Sequence, residues 1–207
     1  MQRVNEFLDV KSDIINTNSE TYPITGEIEF RNVSYTYPNT GIKAVDNLSF
    51  KIDAGKSLAI MGKTGSGKST IAQLICRLID PDEGEILIDG KNLKTHNLKL
   101  YRDQLGYTPQ ESYLFSDTIE NNIGFAIDKP NRSVMLSGGQ KQRICIARAM
   151  IKQPNILIFD DCLSALDTET EENILQNIDK DLKTTTSIII THRESSAKRA
   201  DEILYLN

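Results

Sequence analysis

The residues Gly62-Lys63-Thr64-Gly65-Ser66-Gly67-Lys68-Ser69-Thr70 fit the pattern G-x-x-x-x-G-K-[ST], and no other stretch of the chain restricts its fold as much. Gly62, Gly65 and Gly67 can take positive φ angles, so the loop can bend back and turn its backbone N–H groups inward as a nest for an anion. Lys68 adds a point charge suited to the β and γ phosphates of a nucleotide, and the Ser69 hydroxyl is a ligand type for Mg²⁺. A tight turn without a ligand is the plainer reading, and the flanks decide against it. Lys56 to Met61 is an apolar run leading into the loop, and the periodicity from Lys68 to about Ile79 predicts a helix that Pro81 stops. That order sets the anion nest at the positive end of a helix dipole.

The rest of the chain predicts two layers. Glu27 to Tyr35 and Ala44 to Ile52 alternate apolar and polar residues, as half-exposed strands do, and Glu85 to Ile88 gives another short strand. Asn155 to Phe159 and Ser187 to Ile190 are continuously apolar, which predicts burial on both faces of a sheet with helices above and below. Glu202 to Asn207 reads as a last strand. The expected fold is therefore α/β: a mostly parallel P-loop core flanked by helices, preceded by an antiparallel β subdomain. Two features lie on that core. Leu136-Ser137-Gly138-Gly139-Gln140 leads through Lys141-Gln142-Arg143 into a helix, and the run Ile156-Leu157-Ile158-Phe159 ends in Asp160-Asp161. A carboxylate at such a strand end is where the second metal contact of a P-loop site belongs.

Several function classes lose support. Lys and Arg number 24 against 29 Asp and Glu, a net charge of −5, which argues against a nucleic-acid or anionic-membrane surface. The longest apolar runs fall far short of the roughly 18 residues that span a bilayer, and the charged start does not read as a signal peptide. Cys76, Cys145 and Cys162 form neither a disulfide framework nor a metal spacing, so they read as small buried residues in a reducing compartment. Val4, Phe7 and Leu8 sit at helical spacing, so Met1 to Val10 is expected to end a helix, and the polar stretch Asp9 to Thr25 reads as a linker.

From about Gly26 onward, the motifs and their order resemble the nucleotide-binding domain of an ATP-binding cassette (ABC) transporter of the exporter type. The resemblance implies roles residue by residue. Tyr37, before Pro38, would stack on adenine; Gly62, Thr64, Gly65, Ser66, Gly67, Lys68, Ser69 and Thr70 would surround the phosphates of ATP. Ser69, Gln110 (in Tyr107-Thr108-Pro109-Gln110) and Asp160 would hold Mg²⁺. Asp161 would orient water, with Lys68 and the switch histidine His192 assisting. Ser137, Gly138, Gly139 and Gln140 would act in trans, closing over ATP held by the P-loop of a second nucleotide-binding domain, and Asp167 of Ser164-Ala165-Leu166-Asp167 would cross that interface. His96 belongs to none of these motifs and is expected to be solvated. Residues 1–24 would be the linker from a transmembrane domain and 25–207 the nucleotide-binding domain, at the cytoplasmic face of an inner or plasma membrane.

Three departures from the family pattern qualify this. The residue after Asp160 is usually Glu and here is Asp161; a carboxylate misplaced by about 1 Å can cost on the order of 10²-fold in rate, so hydrolysis at this site is expected to be slow. Such a substitution is found in one partner of exporters with unequal subunits, although a weakly active homodimer, or a regulatory switch with negligible turnover, also fits. The helical subdomain is shortened around residues 111–135; if the segment is truly lost, coupling to a membrane half is expected to suffer more than nucleotide binding. Family members also continue past the last strand, so the C-terminus is expected to be truncated.

Overall fold

A computed structural model describes residues 14, 16, 22–111, 113–115, 118–124, 138–163, 170–171, 173–176 and 184–206. The expected helical end over Met1 to Val10, most of the linker stretch, Ser137 and Asp167 lie outside them. Two sheets form the described structure. The first is antiparallel, in the order β2-β1-β4-β5, from β1 (Ile28–Thr36), β2 (Lys43–Ile52), β4 (Glu83–Ile88) and β5 (Lys91–Asn92). Its register puts Phe30 opposite Phe50 on one side and Ile86 on the other, and the two phenyl rings stack with centroids 4.5 Å apart. The second is parallel, in the order β6-β7-β8-β3-β9, from β3 (Ser57–Gly62), β6 (Leu105–Thr108), β7 (Ile156–Asp160), β8 (Thr186–Ile190) and β9 (Glu202–Leu206). The α/β architecture expected from the apolar patterns is the one observed.

β7 shows why its sequence lacks alternation. Ile156 and Ile158 join the main core, whereas Leu157 and Phe159 join a second cluster on the opposite face with Ile146 and Ala149. Both faces of the strand are therefore covered, the second by α4 (Gly138–Met150). On the main-core side α1 (Lys68–Ile75) buries Ile71, Ala72, Leu74 and Ile75 completely, in one cluster with residues of both sheets. The shorter helices are α2 (Leu98–Asp103), α3 (Ile119–Gly124) and α5 (Glu194–Ala197).

Two expectations need correction. Helix α1 ends at Ile75, one turn before the expected Ile79, because Arg77 takes the left-handed conformation (φ 48°). The N–H of Leu78 then donates to Gln73 O and that of Arg77 to Leu74 O, the paired bonds of a Schellman stop. Glycine is the usual residue there, so the sequence carries no stop signal. His96, expected to be solvated, is 4% exposed, with Tyr22 and Tyr101 as ring neighbours at 6.0 and 5.9 Å, and burial pushes its pKa down. The segment before β1 is tied down in the same region. Asp89 accepts from the backbone N–H groups of Thr25, Gly26 and Glu27 and from the Thr25 hydroxyl.

Candidate functional site

The glycine-rich loop joins the end of β3 to the start of α1. Gly67 caps α1 at φ 88°, and a Cβ there would stand 2.0 Å from the carbonyl oxygen of Ala44. Neither the angle nor the approach tolerates a side chain, which explains why the pattern requires glycine before Lys68. Lys68 is 7% exposed and its ammonium donates to the carbonyls of Gly62 at 2.8 Å and Lys63 at 2.7 Å. Burial lowers its pKa, while Asp161 and Asp160 act in the opposite direction. Its charge is thus held inside the loop by neutral carbonyls, for which a phosphate oxygen is a stronger competitor.

β7 ends at Asp160, 3% exposed, and the P-loop reaches it directly: the Ser69 hydroxyl donates to Oδ1 at 2.9 Å. Burial raises the Asp160 pKa, and hydrogen bonds from Ser69 and Tyr107 lower it. Asp161 follows at φ 47°, its N–H donating to Ile190 O of β8 at 3.0 Å. Burial raises its pKa too, opposed first by His192 and then by Lys68. His192 is exposed beyond the end of β8, and Gln110 is exposed beyond the end of β6. Parallel strands put their C-terminal ends on one edge, which is why residues far apart in sequence converge there.

The convergence encloses a cleft of about 380 Å³, within the range of small-ligand sites. Tyr37, Thr64, Gly65, Gly67, Lys68, Ser69, Thr70, Gln110, Asp160, Asp161 and His192 all line it. The Tyr37 hydroxyl lies 3.0 Å from Thr70 Oγ1 and its ring meets Tyr35 edge-on at 5.1 Å, so one face of the site begins with an anchored aromatic ring. Gly62 and Ser66 belong to the same loop but do not line this cleft; the buried Ser66 hydroxyl has no hydrogen-bond partner among the described residues. Gly138 opens α4, and Gly139 and Gln140 in its first turn are likewise not among the described lining residues. Ser69, Gln110 and Asp160 form a hard oxygen donor set with a single carboxylate, the type that suits Mg²⁺ when nucleotide phosphates complete its shell.

Sequence reasoning missed two groups beside the cleft. Tyr107 donates to Asp160 Oδ2 at 3.4 Å, and buried Glu171 accepts from Arg193 and Ser196, the residues that flank and follow His192 into α5. Neither carries a local signal, because each acts through a partner more than 20 residues away.

The ABC transporter family model matches residues 45–164. An ATP-dependent lipid A-core flippase of Escherichia coli (strain K12) is 43% identical over 211 residues, covering 87% of this chain and 36% of the flippase. ABC transporter B family member 6 of Dictyostelium discoideum is 39% identical over 254 residues, covering 100% of this chain and 38% of that protein. An alignment of 254 residues against a chain of 207 means that the relative has segments without a counterpart here. The chain spans little more than a third of the length of these curated relatives. A solved structure of a bacterial Atm1-family ABC exporter with ATP bound superposes with a TM-score of 0.89 at 34% identity, over 100% of this chain and 42% of that one.

Proposed function

The chain belongs to the ABC transporter family and carries its ATPase domain, and from that premise we propose that it binds Mg-ATP in the cleft, pairs head-to-tail with a second nucleotide-binding domain and powers export through a transmembrane domain, with slow hydrolysis at its own site. The observation that carries this reading is the gathering of Lys68, Ser69, Gln110, Asp160, Asp161 and His192 around one cleft at the N-terminus of α1. The similarity to a flippase and an exporter supports outward transport at the cytoplasmic face of a membrane. No helix among the described residues is long and apolar enough to cross a membrane.

Lys68 moves its ammonium from the Gly62 and Lys63 carbonyls to the β and γ phosphates. Backbone N–H groups of residues 64–69 take the remaining phosphate oxygens, Tyr37 stacks on adenine, and Ser69, Gln110 and Asp160 hold the cation. Bound Mg²⁺ supplies charge neutralisation at the transferred phosphoryl group. Asp161 orients the attacking water, and His192 steadies the γ-phosphate side. Ser137, Gly138, Gly139 and Gln140 of one domain close over ATP held by the other, and Asp167 crosses between them.

Asp161 is one methylene shorter than the glutamate usual in the family. Its backbone is anchored by the bond to Ile190 O, so the loop is not free to carry the carboxylate forward. This observation also supports a second reading, a nucleotide-gated dimerisation switch with negligible turnover. ATP turnover by the assembled transporter and its Asp161→Glu variant tests both. The expected result is a rise on the order of 10²-fold in the glutamate variant; equal rates would overturn the slow-site reading. Turnover that stays negligible in both, with ATP-dependent pairing intact, would favour the switch.

A further inference from the structure

Both oxygens of Asp160 are engaged by this chain. Oδ1 takes the Ser69 hydroxyl at 2.9 Å, and Oδ2 takes the phenolic O–H of Tyr107 at 3.4 Å. Ser69 belongs to the P-loop; Tyr107 opens the stretch Tyr107-Thr108-Pro109-Gln110, in which only Gln110 has been given a role. It stands on β6, hydrogen-bonded alongside β7 in a register that pairs Tyr107 with Ile158 and Thr108 with Phe159. Its ring is half-buried and packs against the main core, so the hydroxyl is delivered to Asp160 by a fixed strand rather than by a mobile loop.

A carboxylate tethered at one oxygen still turns about its terminal torsion, which is broad and nearly two-fold. A second tether at the other oxygen fixes its plane. Mg²⁺ requires near-ideal octahedral geometry and is bound through few protein ligands, so the direction of each ligand oxygen matters. We infer that Tyr107 is a positioning residue for the cation site, orienting the Asp160 carboxylate through its hydroxyl, an inference that rests on the proposal that Ser69, Gln110 and Asp160 hold Mg²⁺. β6 then serves the site twice, because Gln110 lies three residues beyond Tyr107 on the same strand end. Any shift of that strand moves one cation ligand and the tether of another together.

Partners outside the ligand shell typically change metal affinity by about 10- to 100-fold. The 3.4 Å separation is long for a bond to a carboxylate, which sets the expectation at the lower end. The test uses the full chain, a non-hydrolysable ATP analogue and Mn²⁺ as a spectroscopic stand-in for Mg²⁺, with bound ion measured by electron paramagnetic resonance. Tyr107→Phe keeps the ring and removes the hydroxyl; Tyr107→Leu removes both. Both variants are expected to need about tenfold more Mn²⁺ for half-saturation, while analogue affinity in the presence of EDTA stays that of the wild type. Wild-type Mn²⁺ affinity in Tyr107→Phe overturns the inference, as does a shift confined to Tyr107→Leu, which would assign the effect to ring packing. If the wild type itself takes up no Mn²⁺ with the analogue, the cation site falls and the role of Tyr107 falls with it. Uptake by the wild type with no shift in the Phe variant removes Tyr107 alone.

Discussion

At Asp160 a carboxylate nearly sealed from water is, on the proposal that it helps hold the cation, needed in its charged form. Burial raises its pKa in the folded state, and the Ser69 and Tyr107 hydrogen bonds offset this only in part. The folded protein thus keeps the proton to higher pH than the unfolded chain does. The associated stability is complete below the ordinary aspartate pKa of about 3.9 and is lost as pH rises through the folded value. At neutral pH the ionised group weakens the nucleotide-free fold, a cost tolerable at a residue kept for a ligand. Asp160→Asn removes the charge while keeping the size. Thermal melts without nucleotide should show a higher Tm for the variant at pH 7, with the difference closing as pH falls toward 4. A variant that melts below wild type at pH 7 would show that the ionised carboxylate's bonds outweigh its desolvation.

Around His192 the elements depend on a buried tie that no motif announces. Glu171, 3% exposed, accepts from Arg193 just after the histidine and from Ser196 inside α5. α5 is a single short turn of helix, too short to persist without tertiary support, so this carboxylate fixes the segment that carries His192. Glu171→Ala leaves the Arg193 and Ser196 groups without that acceptor. The expected loss is about 2 kcal/mol, below the 3–5 typical of broken buried pairs because the Arg193 side chain is 35% exposed. Urea titration would read it as a lower midpoint at unchanged slope; an unchanged midpoint would show that α5 is held by packing alone. Legibility followed the same division between local and distant causes. The P-loop, the strand ending in Asp160 and the two-sided burial of β7 were legible because each is written in adjacent residues or in a period. The early end of α1 at Arg77, the burial of His96 between Tyr22 and Tyr101, and the bonds of Tyr107 and Glu171 were not. The stop at Arg77 is local but uses a residue other than the glycine that would announce it, and the others depend on partners brought near only by the completed fold. β6 and α2 also escaped notice, since their few residues are too short to display a period.

For the molecule as a whole, the main core is continuous from the antiparallel sheet through α1 to the parallel sheet, so the cleft is built on one rigid unit with an open side. Gln110 and His192 are exposed on that side, whereas α4 runs over the opposite face of β7. On the proposed reading, pairing two nucleotide-binding domains head-to-tail brings the glycine-opened helix of each to the phosphate cradle of the other, and a closed two-fold arrangement does so without leading to filaments. Gly139, half-exposed in the first turn of α4, is the position at which a side chain would obstruct that approach. Gly139→Glu adds bulk and a negative charge facing the partner's phosphates, while every residue lining its own cleft stays in place. Light scattering after size exclusion, run on Asp161→Asn protein to slow hydrolysis, should give a monomer without nucleotide and a dimer with Mg-ATP. Adding Gly139→Glu should leave a monomer under both conditions, with binding of a fluorescent ATP analogue unchanged. A dimer that survives the glutamate would mean that the copies meet through some other surface, and the proposed trans contact of residues 137–140 would have to be given up.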